Sequence, residues 1–219
     1  MRLIENNYGL LVIIIILLIS IGGLVEIVPL FFITSPIGYG SPTEPTWNAQ
    51  LYSALRLEGR DIYIREGCAS CHSQMIRTNY LETERYGQYS IAGEFVYDHP
   101  ALWGSKRTGS DLTRIGNRYS NLWHSEYLNN PGKIIADSIM PRYSWLAKNT
   151  LDGTLIIKKM QAMNKLILLT CSKCRIYSEI EIEEAPAKIR GKTEAEALIA
   201  YINGDLEQPD GLGRLHLQR

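Results

Sequence analysis

The stretch Arg65–Met75, "REGCASCHSQM", decides how the rest of the chain is interpreted. It holds Cys68, Cys71 and His72, which are two of the four cysteines and one of the four histidines. Three kinds of site contain a C-x-x-C pair: a covalent haem site, half of a zinc site, and a redox-active pair of thiols. The residue after the second cysteine and the segments around the stretch favour one of them.

Cys68, Cys71 and His72 have the C-x-x-C-H spacing of c-type haem attachment. Two thiols three residues apart can each form a thioether with one vinyl group of a porphyrin. A histidine directly after the second thiol projects its imidazole at the iron from one side. We therefore predict one haem c, covalently bound through Cys68 and Cys71, with His72 as an iron ligand.

A second C-x-x-C pair, Cys171 and Cys174, leaves two alternatives open. All four cysteines could form a Cys₄ zinc site, although the gap between the pairs is far longer than usual and His72 would have no role. Cys68 and Cys71 could instead be a thioredoxin-like redox pair, although no βαβ pattern surrounds them.

The second axial ligand of the iron is expected to be Met140. It lies far downstream of His72, in a stretch that is predicted to be extended because Pro141 follows. Met75 is nearer, but one helical turn after His72 it would stay on the same side of the haem. The remaining candidates are two methionines whose helical pattern suits core filling and three histidines: Met160, Met163, His99, His124 and His216.

A metal-bound imidazole needs an acceptor for its other N–H. We expect a backbone carbonyl near Ser110, in the loop Gly109–Leu112, to serve. Haem propionates need hydrogen-bond donors, and we assign Arg118 and Tyr119 to the cofactor site. The full set of candidate donors, each of which could also be an ordinary surface residue, is Arg107, Arg114, Arg118, Tyr119, Trp123 and Arg142.

The N-terminal segment predicts a membrane anchor. Gly9–Val25 carries no charge, and Tyr8–Pro29 supplies the roughly 20 mainly apolar residues that a transmembrane helix needs. A cleaved signal peptide would be shorter and end in small residues, and a soluble core helix would rarely be uniformly apolar. We assign 1–34 to an uncleaved anchor and place its N-terminus inside, because Arg2 is the only basic residue before the span.

Behind the anchor, the sequence predicts an extended linker over 35–50, a domain over 51–205 and a polar tail over 206–219. The linker contains "SPIGYGSPTEPT", and 79–116 is expected to be mainly loop. Helices are predicted from Trp47 to a stop at Gly67, over Ser120–Asn130 before Pro131 and Gly132, over Leu151–Leu169, and from a Thr193/Glu196 capping box to Asn203-Gly204.

The first and last helices of the domain are expected to cross. Gly59 would permit their close approach. The side chains expected to meet are Ile62 and Tyr63 of the first helix and Leu198, Tyr201 and Ile202 of the last. Lys plus Arg and Asp plus Glu balance at 23 each over 219 residues, so nucleic acid is not an expected partner.

Long motifs outside C-x-x-C-H resemble those of one protein family. They are "GGLVEIVPLFF", "LEGRDIYIREGCASCHSQMIR", "RYGQYSIAGEFVYDHPALWGSKRTGSDL", "SIMPRYSWL" and "GKTEAEALIAYI". Together they are similar to the mono-haem cytochrome c subunit (subunit II) of cbb3-type cytochrome c oxidases. The resemblance runs from about Gly22 to Ile202.

The resemblance implies a mainly α fold: a class I cytochrome c domain tethered to one N-terminal transmembrane helix. In the family the haem ligands correspond to His72 and Met140. It also implies a bacterial inner membrane location with the domain in the periplasm, and assembly with a catalytic haem-copper subunit and a di-haem cytochrome c subunit. Electrons would pass from the di-haem partner through this haem to the catalytic subunit, which reduces oxygen.

The chain departs from the family in two places. Ser110 stands where the family usually has proline, so the loop loses stiffness. Cys171 and Cys174 lie in a region that is usually a polar connector, and a local disulfide, two free thiols or a sequence irregularity stay open. Arg175 stands where a histidine would be needed for a second haem. Besides an oxidase subunit, a free-standing anchored cytochrome shuttle and a zinc or thiol-redox domain remain alternatives.

Overall fold

A computed structural model describes residues 7–28, 49–171, 174–207 and 211–212. The described chain is mainly helical and contains no strand within these ranges, only an isolated antiparallel bridge between Thr150 and Thr193. The α-helices are α1 (Tyr8–Gly22), α2 (Ala54–Arg65), α3 (Tyr80–Tyr86), α4 (Asn121–Asn129), α5 (Pro131–Ile134), α6 (Ile156–Thr170), α7 (Glu179–Ile189) and α8 (Glu194–Asn203). Short 3₁₀ turns are Cys68–Ser70, Ala92–Phe95 and Ser144–Ala147.

Helix α1 has the length and composition expected of a membrane anchor. It is capped by the Asn7 side chain, which accepts from the backbone N–H of Leu10, and it continues into a π-helical turn at Gly23–Ile27. The stretch Tyr8–Val25 is long and apolar enough to cross a membrane. Pro29 and the predicted linker up to residue 48 lie outside the described residues.

Helix α2 is shorter than the sequence predicted. Instead of starting at Trp47, which lies outside the described residues, it begins at Ala54. Ser53 has extended backbone angles, and its hydroxyl accepts from the N–H of Arg56 at 3.3 Å, so this serine caps the helix. The predicted stop is confirmed, because Gly67 adopts a left-handed conformation with φ 72°.

Helices α2 and α8 cross at Gly59, as the sequence predicted. A Cβ atom added to Gly59 would lie 1.9 Å from the carbonyl oxygen of Ala197 and 2.9 Å from Cβ of Tyr201. The predicted contact residues all belong to one buried core cluster: Ile62, Tyr63, Leu198, Tyr201 and Ile202. Their packing confirms the expected arrangement of the first and last helices.

The two ends of α8 are also confirmed. Thr193 and Glu196 form a reciprocal capping box, with the Glu196 carboxylate accepting from the N–H of Thr193 at 2.7 Å. Gly204 follows the last helical residue with φ 96°, a backbone conformation that glycine adopts readily. Local sequence therefore sets the limits of this helix independently of its packing.

Within the predicted loop over 79–116, the structure contains one helix that the sequence did not predict. This helix, α3, begins after Asn79, whose side chain accepts from the N–H of Glu82 at 2.9 Å. Its seven residues are too few to show a helical period. Glu82 and Tyr86 are its buried residues, and both contact the side chain of Arg107.

Helix α4 begins at its predicted cap, because the Ser120 hydroxyl accepts from the N–H of Trp123 at 3.1 Å. Pro131 does not only end this helix; it is also the first residue of α5. Proline suits that position, since the first N–H groups of a helix have no partner within it.

Helix α6 begins five residues later than the sequence predicted. The prediction was Leu151–Leu169, but the helix starts at Ile156. Asp152 forms a side-chain turn instead, accepting from the N–H of Thr154 at 2.9 Å, and Gly153 has φ 77°.

Two residues of the predicted polar tail pack on the domain. Leu212 is 1 % exposed, and its N–H donates to the carbonyl of Ile202 at 2.8 Å. The carbonyl of Gly211 accepts from the Arg56 guanidinium at 2.9 Å. Gly211 and Leu212 of the predicted tail therefore contact α2 and α8.

We expect Gly59→Ala to lower the free energy of unfolding by about 3 kcal/mol, because the new methyl group would meet a backbone carbonyl that can move only with all of α8. The measurement is denaturant unfolding of the holoprotein. Gly132→Ala is the control, because the nearest atom to its new Cβ would be 3.8 Å away. Equal stability of the two variants would contradict a close crossing.

Candidate functional site

The C-x-x-C-H motif forms a tight turn at the end of α2. After the left-handed Gly67, Cys68–Ser70 make one 3₁₀ turn. The carbonyl of Cys68 accepts from the N–H of Cys71 at 3.1 Å and from the N–H of His72 at 2.8 Å. Cys68 and Cys71 are half-buried and not in a disulfide.

The imidazole of His72 is held on one side by the loop that precedes Asp111. Its Nδ1 lies 2.7 Å from the backbone carbonyl oxygen of Ser110. This is the contact for which the sequence analysis named Ser110. The described residues provide no hydrogen-bond partner for the other ring nitrogen, Nε2. The ring therefore has one nitrogen fixed by the protein and the other available to a metal.

Gly109 allows the loop to approach the imidazole this closely. A Cβ atom added to it would lie 2.2 Å from Cε1 and 2.5 Å from Nδ1 of His72. The N–H of Gly109 donates to the carbonyl of Cys71 at 2.9 Å, and this hydrogen bond joins the loop to the C-x-x-C-H turn. The sequence could not predict this role of Gly109, because the contact with the His72 imidazole forms only when the chain folds.

Met75 is not one helical turn after His72, as the sequence predicted, because the residues that follow His72 are not helical. They run without regular structure along the 102–111 loop. The N–H of Met75 donates to the Asp111 carboxylate at 3.0 Å, and its carbonyl accepts from Arg107 at 2.8 Å. The Met75 backbone is thus fixed on the loop that holds His72.

Met140 lies in a segment without regular structure, as the sequence predicted, and packs half-buried against the core. Its N–H donates to the Ser138 hydroxyl at 3.3 Å. Three residues later, burial and then the nearby thiols of Cys68 and Cys71 raise the pKa of Tyr143. Tyr143, which follows Met140 by three residues, therefore lies near the cysteine pair.

Several other candidate ligands have roles elsewhere. Met160 and Met163 are buried in the core on α6, as their pattern predicted. His99 is half-buried, with its Nε2 3.3 Å from the Thr170 hydroxyl. His216 lies outside the described residues.

His124 is buried on α4, and its Nε2 has no hydrogen-bond partner among the residues that the structure describes. Its ring stands edge-on to Trp123, with 5.3 Å between the ring centroids. Burial lowers the pKa of His124, so the neutral ring is favoured. The packing on Trp123 and Tyr119 explains the position of this ring without a ligand.

Two of the candidate propionate donors are already paired within the protein. Arg107 lies 2.9 Å from the carboxylate of Glu82 and 3.1 Å from that of Asp111. Arg114 lies 2.7 Å from the buried carboxylate of Glu94. The pairings with Glu82 and Glu94 could not be seen in the sequence, because these two carboxylates come from other segments of the chain.

The other candidate donors are more accessible. Arg118 donates to the carbonyl of Tyr86 at 3.0 Å. Tyr119 is 45 % exposed and stacks on Trp123, with 4.1 Å between the ring centroids. Arg142 is exposed and has no hydrogen bond or ion pair within the described part of the chain. None of these contacts assigns Arg118 or Tyr119 to a cofactor.

The second cysteine pair is not available to a metal. Cys171 and Cys174 form a disulfide, which removes both thiols from the predicted Cys₄ zinc site. No group of three or more His, Cys, Asp or Glu residues that could hold a metal occurs among the described residues. The zinc alternative is therefore wrong for this structure.

Cys68 of the first cysteine pair lacks the lowered pKa that is typical of a reactive thiol. Burial, followed by the nearby charges of Glu66 and Cys71, raises the pKa of Cys68 to about 11. Reactive thiols of oxidoreductases have lowered pKa values, because the thiolate is the nucleophile. Cys68 is thus a neutral thiol at physiological pH.

The available donors fit a c-type haem. Two unpaired thiols, a histidine with one free nitrogen and a backbone acceptor behind that histidine are together in one place. Gly109 leaves room for the imidazole to lie against the loop, so the orientation of the ring does not depend on the cofactor. Cys68, Cys71 and His72 are the residues that would hold the haem.

Comparison with known proteins agrees with this chemistry. The family described as "Cytochrome C oxidase, mono-heme subunit/FixO" matches residues 1–206. A search of curated proteins finds no match.

We expect Gly109→Ala to break the contact between His72 and Ser110, because the methyl group would overlap the imidazole. The yield of protein with covalent haem should fall strongly, and what forms should show an altered absorption spectrum of the oxidised haem. The measurements are a haem stain and optical spectra. Ser110→Ala is the control, because the exposed Ser110 side chain can be lost while its backbone carbonyl stays. A normal haem in Gly109→Ala would disprove the role of this glycine.

Proposed function

Because the chain belongs to the mono-haem subunit family of cytochrome c oxidases, we propose that it is the electron-transfer subunit of a cbb3-type haem-copper oxidase. The observation that carries the proposal is the contact between His72 Nδ1 and the Ser110 carbonyl beside two unpaired cysteines. A haem c bound there supplies a one-electron couple between ferric and ferrous iron. The protein's part is to hold, orient and shield it.

Cys68 and Cys71 would hold the haem through thioethers, and His72 would bind the iron through Nε2. The Ser110 carbonyl accepts a hydrogen bond from the Nδ1–H group of His72. This hydrogen bond fixes the ring and raises the basicity of Nε2. The Tyr63 hydroxyl donates to the carbonyl of His72 at 2.6 Å, so the backbone of the ligand is fixed as well.

Met140 is proposed as the other axial ligand. Two considerations support it: its segment lies near Cys68 and Cys71, and the other methionines except Met75 and Met1 are in the α6 core. A thioether ligand raises the reduction potential relative to a second histidine. It would also leave no open position on the iron, which suits electron transfer and not oxygen binding.

The proposed partners are a di-haem cytochrome c subunit as the electron donor and a catalytic haem-copper subunit as the acceptor. Oxygen reduction would occur in the catalytic subunit, so this chain would have no catalytic residues of its own. The membership of an oxidase subunit family supports assembly with other oxidase subunits. Helix α1 would hold the chain in the same bilayer.

The proposed location is the bacterial inner membrane, with the haem domain on the periplasmic side. The disulfide between Cys171 and Cys174 supports this side, because disulfides persist in oxidising compartments such as the periplasm.

Isolation of the tagged full-length chain from membranes tests the function. We expect a covalent haem stain on this chain, and a haem-copper subunit and a di-haem subunit purified with it. A haem-stained chain without oxidase subunits would instead indicate a free-standing cytochrome shuttle. A chain without covalent haem would disprove both.

We expect Met140→Ala to lower the reduction potential and to let the reduced protein bind carbon monoxide, because a position on the iron becomes free. The measurements are a redox titration and carbon monoxide difference spectra. Met75→Ala should retain the wild-type spectra. If Met75→Ala opens the iron and Met140→Ala does not, the assigned ligand is wrong.

A further inference from the structure

Arg107 lies at the centre of the contacts between the His72 segment and the loop. Its guanidinium donates to the Ser73 hydroxyl at 2.7 Å and to the Met75 carbonyl at 2.8 Å. The same group lies 3.1 Å from the Asp111 carboxylate. One side chain thus contacts the residue after His72 and the residue after Ser110.

The two segments meet at further points on both sides of Arg107. The carbonyl of Leu102 accepts from the N–H of Gln74 at 3.1 Å, and the carbonyl of Lys106 accepts from the Ser73 hydroxyl at 2.8 Å. At the other end, Gly109 binds the carbonyl of Cys71. The Arg107 side chain contacts both segments, through Ser73 and Met75 on one and through Asp111 on the other.

The charge of Arg107 is matched by two carboxylates. The Asp111 side chain is fully buried, and the Glu82 side chain is 9 % exposed. A buried carboxylate without a cation is costly, so each holds the guanidinium firmly. Glu82 has a second cation in Arg77, but Arg107 is the only ion-pair partner of Asp111 among the described residues.

The Asp111 carboxylate transmits this restraint to the loop. One of its oxygens accepts from the N–H of Met75, and the other accepts from the N–H of Thr113 at 2.8 Å. Asp111 is therefore fixed on both sides, and the peptide group of Ser110 lies between Asp111 and the fixed Gly109. The position of the Ser110 carbonyl depends on these anchors.

We propose that Arg107 is a positioning residue for the axial ligand: its guanidinium holds the Ser110 carbonyl on Nδ1 of His72 and so sets the basicity of that ligand. The inference rests on the proposed function. A firm acceptor at Nδ1 gives the imidazole partial negative charge, which stabilises ferric iron and lowers the reduction potential. Arg107 acts through the loop and does not touch the haem ligand itself.

The test variant is Arg107→Lys, which keeps the positive charge but loses the planar fork that reaches Ser73, Met75 and both carboxylates. We expect the midpoint potential of the holoprotein to shift upward. We also expect the Nδ1 proton of His72, observed by NMR of the reduced protein, to exchange with solvent on the order of tenfold faster, because its hydrogen bond opens more often.

Arg77→Lys is the matched control. Arg77 also pairs with Glu82, but it is 49 % exposed and has no contact with Ser73 or Asp111. In the Arg77→Lys variant, the midpoint potential and the exchange rate of the His72 Nδ1 proton should remain at wild-type values. Both substitutions keep the positive charge. A change in midpoint potential and proton exchange that occurs only in Arg107→Lys therefore reports a change in the position of the loop.

Ser73→Ala provides a second test if Arg107→Lys yields no holoprotein. It removes one acceptor of Arg107 and leaves both carboxylates in place, and a smaller upward shift is expected. Unchanged potential and exchange in the variants that carry haem would overturn the inference, as would a downward shift. A wild-type chain that binds no haem would instead refute the proposed function.

Discussion

The close crossing of α2 and α8 at Gly59 is the constraint on which the rest of the domain depends. With the Ala197 carbonyl in the place of a side chain, the two helices bury their facing side chains in one core. A larger residue at Gly59 would separate the helices along their whole contact. The crossing also fixes the position of α2 in the domain, and the cysteine pair begins only three residues after the last residue of this helix, Arg65.

Two tyrosines connect the helix crossing to the candidate haem site. The rings of Tyr63 and Tyr201 lie 5.5 Å apart where the helices meet. The Tyr63 hydroxyl donates to the carbonyl of His72, and the Tyr201 hydroxyl bonds to the side-chain amide of Gln74. Burial raises the pKa of Tyr63 well above its ordinary value, so its phenol stays a donor. The core thus holds the backbone on both sides of Ser73.

On its other side the same segment is held by charge and by backbone contacts. The 102–111 loop has few apolar residues, and its contacts to residues 71–75 come from carbonyls, amides and the Arg107 guanidinium. Arg107 forms ion pairs with Glu82 of α3 and with Asp111 of the loop itself. His72 therefore sits between an apolar core and a polar loop, and both restrain its orientation.

Patterns within a few residues predicted much of this arrangement. The C-x-x-C-H turn, the caps at Ser120 and Thr193, and the stop at Gly67 depend on local hydrogen bonds and backbone angles, which neighbouring residues determine. The crossing at Gly59 was also predictable, because a glycine on an apolar helix face leaves room for another backbone. The start of α2 was not, since the capping serine competed with a continuous helical pattern.

The sequence by itself determined the apolar N-terminal helix, the helical core, the C-x-x-C-H motif and the loop whose carbonyl contacts His72. Tertiary structure decided that Gly109 lies against the imidazole, that residues 73–77 are not helical, and that Arg107 and Arg114 form ion pairs with carboxylates. It also decided that Cys171 and Cys174 pair with each other. The physical reason is that these contacts join segments far apart in the chain, where folding and not local preference sets which groups meet.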